Sequence, residues 1–555
     1  MSDVVEPEPG PIDAAGAPMS PAEILARRSL VALVPFARSG DLMDPPDGVA
    51  IASLDDAGLI DMDASGRALL AAWSKRPDRV FLFDEARPGL RRLLRAGVDV
   101  ARPICRNTLE RLAGASVDDT GNIMRDPLAA SLRAKQIVHK LESQLERVDE
   151  RGHKKVARLE NLVLRAFAAL EDRGMPIDAP AWKALVNEDR ALASAAKDEI
   201  FRLAGAHIAR DLFGTPEINL DADADVRALL ERSTGKKLDD VARGSLAALK
   251  HPVADALLKY RESHKIVSTY GDAFLSRVDP RDGRIHATFI PLGASTGRVA
   301  SRDPNLQNLP SDARFHTCLR APAGHALVTA DYATCELRIV AELAQDPVFL
   351  AAFARGDDLH STVASTMFGV PVSKSERPEL RQRAKAINFG LVYGMGPAAL
   401  ATSLSVPLEE GERLLQQYFR TFPRVRDYLE HNVDQALSRG YAETVLGRRL
   451  RFDKDALSAP NARGELSRIA KNMPIQGTSA DMTKLAMVRV HERLVDEHLG
   501  GLVNTVHDEL VVECRAEDGA RVAEAVQHEM AEAHRTLLRT VPPLVEVHVG
   551  PHWHH

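Results

Sequence analysis

At 555 residues, the chain is longer than one hydrophobic core usually organises, so several domains are expected. Its 45% hydrophobic and 27% charged residues are those of an ordinary soluble globular protein, and a formal net charge of -6 argues against coating nucleic acid by bulk attraction. No apolar run nears the roughly 20 residues that span a bilayer, the opening MSDVVEPEPG has neither a basic nor an apolar signal region, and the four cysteines form no CxxC pair. These features exclude a membrane-spanning protein and argue against secretion, a disulfide framework or a zinc site. They point to a reducing cytoplasm.

In chain order, an acidic Pro- and Ala-rich tail, expected to be disordered, runs to about residue 21. Residues 22–125 alternate short apolar runs (SLVALVPF, VFLF) with helical stretches, an α/β pattern. From Asp126 to about Leu275 the apolar spacing is helical, with Asp178-Ala-Pro placed as a cap. Residues 276–320 are polar and rich in Gly, Pro and Asn, a functional loop region of turns and short strands. Beyond them strands (HALVTA, LVNTV, LVVEC) mix with long helices. Basic residues cluster between Lys374 and Lys385 and again from Arg448 to Lys454; alone, such runs usually mark solvated surfaces.

Ala326–Ala330 reads as a buried strand followed directly by Asp331. Leu502–Val506 and Glu509–Val512 read as a hairpin with His507-Asp508 at its tip. An Asp in such a place is ordinarily a cap or turn residue. If the strands share a sheet, however, Asp331 and Asp508 converge, and two carboxylates in one small site repel unless cations neutralise them; all-oxygen ligation suits Mg²⁺. Downstream of Asp331, Arg381, Lys385, Phe389 and Tyr393 recur every four residues and form one slowly drifting helical stripe. A helix that snorkels its cations and buries its rings is the plain alternative. Read together, two cations for phosphates and two rings for a sugar and base could hold a nucleotide.

These residues resemble the signatures of family A DNA polymerases, the Klenow type. Asp331-Tyr-Ala-Thr-Cys-Glu-Leu-Arg338 is similar to the first, Arg381–Gly394 to the second and Val506-His-Asp-Glu-Leu510 to the third. Thr296–Pro310, Asp358–His360, Glu443–Phe452 and Arg468–Asp481 match in order, so the resemblance covers about residues 160–555. It implies an α+β right-hand polymerase, with palm, fingers and thumb over residues 151–555. The thumb is expected at about 160–280, and palm and fingers at about 281–555. It implies Asp331 and Asp508 as catalytic ligands of two Mg²⁺ ions, assisted by the Tyr332 carbonyl. Glu336 is implied as the gate against a ribose 2′-hydroxyl. His360, Arg381 and Lys385 are implied to bind the triphosphate, and Phe389 and Tyr393 the sugar and base. Arg298, Gln307, Asn308, Arg468, Asn472, Gln476 and His507 are implied to face the template-primer, and His264 and Lys265 to sit where a thumb contacts the duplex backbone. Ala333, Thr334 and Cys335 depart from the Ser, Gln and Ile common in the family, which puts fidelity and turnover in doubt and leaves metal binding untouched.

Residues 22–150 resemble an α/β, RNase H-like 3′ to 5′ exonuclease domain that is degenerate: Gly89 and Asn107 stand where metal-binding Asp residues are expected, and the first strand lacks its Asp-x-Glu pair. Too few residues precede it for a 5′ nuclease module, so none is expected. The function implied is template-directed DNA synthesis by a monomer that binds template-primer DNA and deoxynucleoside triphosphates, without proofreading. A relative of the single-subunit RNA polymerases and a catalytically idle DNA-binding scaffold are the alternatives. Glu336 and the TGR…DPNLQN segment speak against the first, and intact Asp331, Asp508, Arg381 and Lys385 against the second.

Overall fold

The computed structural model describes residues 19–37, 44–76, 78–115, 117, 125–210, 212–213, 216–310, 312–392, 394–452 and 462–554. Most of the expected tail, residues 1–18, lies outside them. Ser20 caps the helix Pro21–Arg27 through a reciprocal pair: its hydroxyl accepts the Glu23 N–H, and the Glu23 carboxylate accepts the Ser20 N–H. Contacts divide the chain into two compact units. One comprises Met1–Arg173, Thr288–Arg302 and Gly324–Val549; the other comprises Gly174–Ala287, Asp303–Ala323 and Gly550–His555.

In the first unit, the α/β pattern becomes a five-stranded mixed sheet in the order Ala57–Asp61, Gly48–Ala52, Leu30–Phe36, Val80–Phe83, Pro103–Cys105. The first three strands run antiparallel and the last two parallel to Leu30–Phe36. Because strand side chains alternate between faces, Val31, Leu33, Phe81 and Phe83 enter one core while Ala32, Val34, Phe36 and Leu82 enter another. The helix Lys154–Arg173 adds Leu164 and Ala168 to the first core and Val156 and Ala157 to the second. This helix therefore belongs by packing to the sheet before it as well as to the chain after it.

The same unit contains a four-stranded sheet in the order Gly501–Val506, Glu509–Arg515, His325–Tyr332, Val545–Gly550. The strand predicted to stop at Ala330 runs on through Tyr332, since pairing with Glu509–Arg515 continues to its edge. Helix Gly519–Leu537 packs on this sheet and on the long helix Ala462–Asp496, which accommodates Pro474 in its interior.

The second unit is largely helical. Helices Ala179–Ala204 and Pro252–Tyr270 pack along each other, and Asp178 caps the first as its position predicts. Buried Trp182 anchors this unit: its ring stacks 4.6 Å from Phe274, and its Nε1 donates to the Tyr270 carbonyl at 2.8 Å. The loop region resolves into short pairs in both units, Val278–Asp279 with Arg284–Ile285 and Thr288–Ile290 with Ala300–Arg302. Among the described residues, no helix is long and apolar enough to cross a membrane.

Candidate active site

In the four-stranded sheet Asp331 is register partner of Glu509, and Asp508 occupies the two-residue turn immediately before it. His507 takes a positive φ of 53° to close that turn. The sheet therefore brings the two predicted carboxylates together. Burial, reinforced by the Asp508 and Glu509 charges, pushes the Asp331 carboxyl up to about 7. Burial, with the Glu336 and Glu509 charges added, pushes Asp508 up to about 6. Asp331 Oδ1 is buried without a hydrogen-bond partner among the described residues. A half-buried, mutually repelling carboxylate pair with one buried, unsatisfied oxygen among the described residues is a donor set that fits a hard divalent cation. The Tyr332 side chain turns away into the core, where its hydroxyl donates to the Met530 carbonyl at 2.7 Å. A further acid–imidazole group, Asp279, Asp282 and His286, lies in the other unit, with Arg281 already paired to Asp279 at 2.7 Å.

The helix Cys335–Ala344 starts from Thr334 in the left-handed region, φ 53° and ψ 40°. In its first turn, Glu336 accepts a hydrogen bond from Arg298 Nη2 at 2.5 Å. Arg298 sits in the loop of the hairpin Thr288–Arg302, next to Gly297 at φ 86°. A Cβ at Gly297 would lie 2.6 Å from Arg448 Cζ, so the close approach of backbone to guanidinium needs glycine. Arg448 belongs to a buried ionic group. Its guanidinium contacts Glu160 and bonds Asp481 at 2.6 Å, while Lys484 Nζ contacts Glu160 at 2.5 Å. Burial pushes the Lys484 amine down to about 8 against the pull of Glu160.

On the helix Pro378–Val392, Arg381 grips Asp358 with two hydrogen bonds, of 2.7 and 3.2 Å. Burial works to raise the Asp358 carboxyl, but the bonds from Arg381 and Ser361 hold it down at about 2. Burial, aided by Arg381 and Lys385, pushes His360 down to about 4. The neutral His360 ring accepts the Asn388 amide through Nδ1 at 3.1 Å, and Asn388 in turn accepts the Tyr418 hydroxyl at 3.0 Å. The Phe389 ring lies 5.5 Å from the His360 ring, and Lys385 Nζ lies 5.9 Å from the Phe389 centroid. Arg381, Lys385, Phe389 and His360 thus come together; Tyr393 lies outside the described residues. Asp358 and Asn388 were in the matched motifs without a role, and their long-range hydrogen bonds supply one.

The model of DNA polymerase family A matches residues 190–555. The chain belongs to this family. It is 37% identical over 410 residues to the thermostable DNA polymerase I of Thermus filiformis, covering 71% of this chain and 47% of that protein. It is 34% identical over 412 residues to the DNA polymerase I of Rhizobium leguminosarum, covering 71% of this chain and 40% of that one. The chain therefore spans about half the length of these relatives or less. A solved structure of the POL domain of Pol1 from M. smegmatis, in complex with DNA primer-template and dNTP, superposes with a TM-score of 0.84 at 30% identity. That likeness covers 96% of this chain and 97% of the other.

In this family A chain, the expected DNA-facing residues fall in both units. Arg468, Asn472 and Gln476 follow one another at one-turn spacing on the helix Ala462–Asp496, and His507 is exposed in the turn before Asp508. Gly394 has a φ of 66°, and a Cβ there would lie 2.9 Å from Arg468 Cγ. In the helical unit, Lys265 and Asn308 line a groove of about 1560 Å³. The Tyr270 hydroxyl donates to the Asn308 carbonyl, and the Gln307 N–H bonds the Asn305 side chain at 2.9 Å. His264 is 3.3 Å from Asp221 and stacks on Tyr260 with centroids 5.0 Å apart, partners expected of a helix-surface residue.

Gly89 and Asn107, which stand where the resemblance places metal-binding Asp residues, lie on the helices Ala86–Arg95 and Arg106–Leu112. A Cβ at Gly89 would meet the Phe83 ring at 3.0 Å and Pro35 Cδ at 3.7 Å, an apolar setting. Asn107 is buried and accepts from Arg106 Nη2 at 2.6 Å. Of the nearby acids, Asp84 is bonded by Arg133 and Arg106, and Glu85 pairs with Arg87 at 3.3 Å.

Proposed function

We propose that the chain is a template-directed DNA polymerase that extends a primer 3′ end with deoxynucleotides, releases pyrophosphate, and does not proofread. The observation that carries this reading is the half-buried Asp331–Asp508 pair, whose Asp331 Oδ1 has no hydrogen-bond partner among the described residues, set in one unit with the Arg381–Phe389 helix. Asp331, Asp508 and the Tyr332 carbonyl would hold two Mg²⁺ ions, and such ions supply Lewis acidity and charge neutralisation for phosphoryl transfer. The palm and fingers would lie within residues 281–555, the thumb within about 160–280, and the degenerate exonuclease-type domain within 22–150.

The chain's own groups bind and orient the reactants. Arg381 exchanges its bidentate hold on Asp358 for triphosphate oxygens, a like-for-like substitution of acceptors on one guanidinium fork. Lys385 adds a point charge. The neutral His360, kept uncharged by burial and fixed by Asn388, offers its remaining ring nitrogen to a phosphate oxygen. Phe389 provides an apolar face for the sugar, and Glu336, held by Arg298, narrows the space at the 2′ position. Arg468, Asn472, Gln476 and His507 with Arg298, and in the helical unit Gln307 and Asn308, contact the template-primer by positions every correct pair presents, while Lys265 meets the duplex backbone. The primer 3′ oxygen forms a new bond to the α-phosphorus, the bond to pyrophosphate breaks, and the hydroxyl proton passes to solvent.

The test is extension of a labelled primer on a longer template by the full chain with Mg²⁺ and the four deoxynucleotides. Stepwise lengthening that disappears in Asp331→Ala and Asp508→Ala, while duplex binding persists, is expected. A parent chain that binds duplex but never lengthens the primer would overturn the reading in favour of a DNA-binding scaffold.

A further inference from the structure

The two-stranded hairpin Thr288–Arg302 carries Arg298, yet an isolated pair of strands is marginal in water and its free edges expose unpaired backbone groups. Its edge at Phe289 is not free. The Phe289 N–H donates to Glu171 Oε1 at 2.7 Å, and the Phe289 carbonyl accepts from Arg87 Nη1. The same Arg87 Nη1 bonds the same Glu171 Oε1 at 2.7 Å, closing a three-membered ring of contacts around one residue's backbone. All three residues are buried, with Arg87 5%, Glu171 4% and Phe289 1% exposed. The ion pair occupies the place of a third strand, satisfying both backbone groups with charge-assisted bonds.

Arg87 comes from the N-terminal domain, in the helix Ala86–Arg95 that also carries Gly89. Glu171 comes from the helix Lys154–Arg173, which contributes to that domain's cores, and whose Phe167 ring lies 6.1 Å from the Phe289 ring. Beyond Phe289, Ile290, Pro291 and Leu292 line a small pocket of about 30 Å³ shared with Glu85, Arg87 and Asn107, room for about one water. Leu292 packs against the second core of the N-terminal sheet. At the far end of the hairpin, the Arg298 carbonyl accepts the N–H groups of Gly293 and Ala294, and its guanidinium reaches Glu336.

We propose that Arg87, through Glu171 and Phe289, is a positioning residue for Arg298. The N-terminal domain, without nuclease carboxylates, serves the polymerase site by bracing the hairpin that presents Arg298 to the primer and to Glu336. The inference rests on the polymerase reading of Arg298 and Glu336. It requires the contacts of Arg87 and Glu171 to be energetically coupled to Arg298 and not merely additive with it.

The experiment uses full-length chains: Arg87→Met, Glu171→Gln, the charge-balanced double variant Arg87→Met/Glu171→Gln, Arg298→Ala, and Arg87→Met combined with Arg298→Ala. Primer-extension constants are measured beside thermal melting, and hydrogen exchange of the amides of residues 289–302 is followed in Arg87→Lys, which keeps the charge but loses the fork. The brace variants are expected to raise KM for primer-template by about fivefold to tenfold with a smaller change in kcat, as befits one coupled contact network. The combined Arg87→Met/Arg298→Ala chain should be no worse than Arg298→Ala alone, and the hairpin amides should exchange faster in Arg87→Lys. Effects that multiply in the combined variant, or unchanged constants in a folded charge-balanced double variant, would overturn the proposal. So would unaltered hairpin exchange in Arg87→Lys, a result that decides the matter even if the other variants do not fold. A parent chain that lacks extension removes the polymerase reading itself, and is distinguished by failing before any variant is compared.

Discussion

The Asp84 carboxylate accepts two hydrogen bonds from Arg133, Nε to Oδ2 at 2.7 Å and Nη2 to Oδ1 at 2.9 Å, and a further one from Arg106. Guanidinium groups from Arg133 and Arg106 thus occupy both oxygens of the Asp84 carboxylate.

No cation site therefore remains at Asp84, and a mismatched 3′ primer incubated with enzyme and Mg²⁺ but no nucleotides should keep its length. Shortening that survives Asp331→Ala and vanishes in Asp84→Ala or Glu85→Ala would reveal a nuclease centre and refute this expectation.

Asp331 and Asp508, raised to about 7 and about 6, bind protons in the folded chain at pH values where the unfolded carboxyls do not. Without divalent cations, the contribution of this pair to stability falls as pH rises from about 4 to 7. Added Mg²⁺ should reverse that loss, raising Tm more at pH 8 than at pH 6. In Asp508→Asn, thermal melting with and without a chelator should show both the pH-dependent loss and the cation response diminished. Equal Mg²⁺ responses at the two pH values would contradict the linkage.

Sugar selectivity should divide between two residues. Phe389→Tyr supplies a hydroxyl in place of the missing 3′-OH and should raise dideoxynucleotide termination by about tenfold or more, whereas Glu336→Ala opens the 2′ position to ribonucleotides. Competition assays with mixed nucleotides read each ratio. Unchanged selectivity in both variants would displace the helix Pro378–Val392 from the nucleotide.

Acid should destabilise the chain through buried histidines. Burial, helped by Arg165 for His491 and by Arg338 for His534, pushes each down to about 4. The unfolded chain takes up these protons below about 6.5 and the folded chain does not, so stability drops as pH falls from 6.5 to 4. Neither ring nitrogen of His534 has a hydrogen-bond partner among the described residues, so His534→Phe should flatten the slope by up to one proton without loss of Tm at pH 7. Denaturant titrations across this range measure it; an unaltered slope would mean that His534 titrates alike in both states.

Features with a local cause were legible in the sequence. A short, nearly continuous apolar run marked the buried strand before Asp331, and two apolar runs around His507-Asp508 marked the hairpin, because strand burial and turn length act within a few residues. The continuation of the first strand through Tyr332 was not visible, since the pairing of Asp331 with Glu509 decides it. Charge contacts were equally hidden. Arg298–Glu336, Arg381–Asp358 and Arg87–Glu171 join residues 38, 23 and 84 apart, and complementary charges at such separations leave no periodic trace. Asp358 stands two residues before His360 in a matched motif, but its bond to Arg381 lies 23 residues away.

Glu160, Arg448, Asp481 and Lys484 form a closed set of two acids and two bases, each no more than 4% exposed. Neutralising one member strands a buried charge at a cost of about 3–5 kcal/mol, whereas replacing such a set together with well-packed apolar residues is often neutral or better. Single steps away from the quartet are therefore steep and the concerted step is level. Drift at any of these four positions is locked to the other three, and a library that randomises them should return compensated combinations and almost no lone replacements.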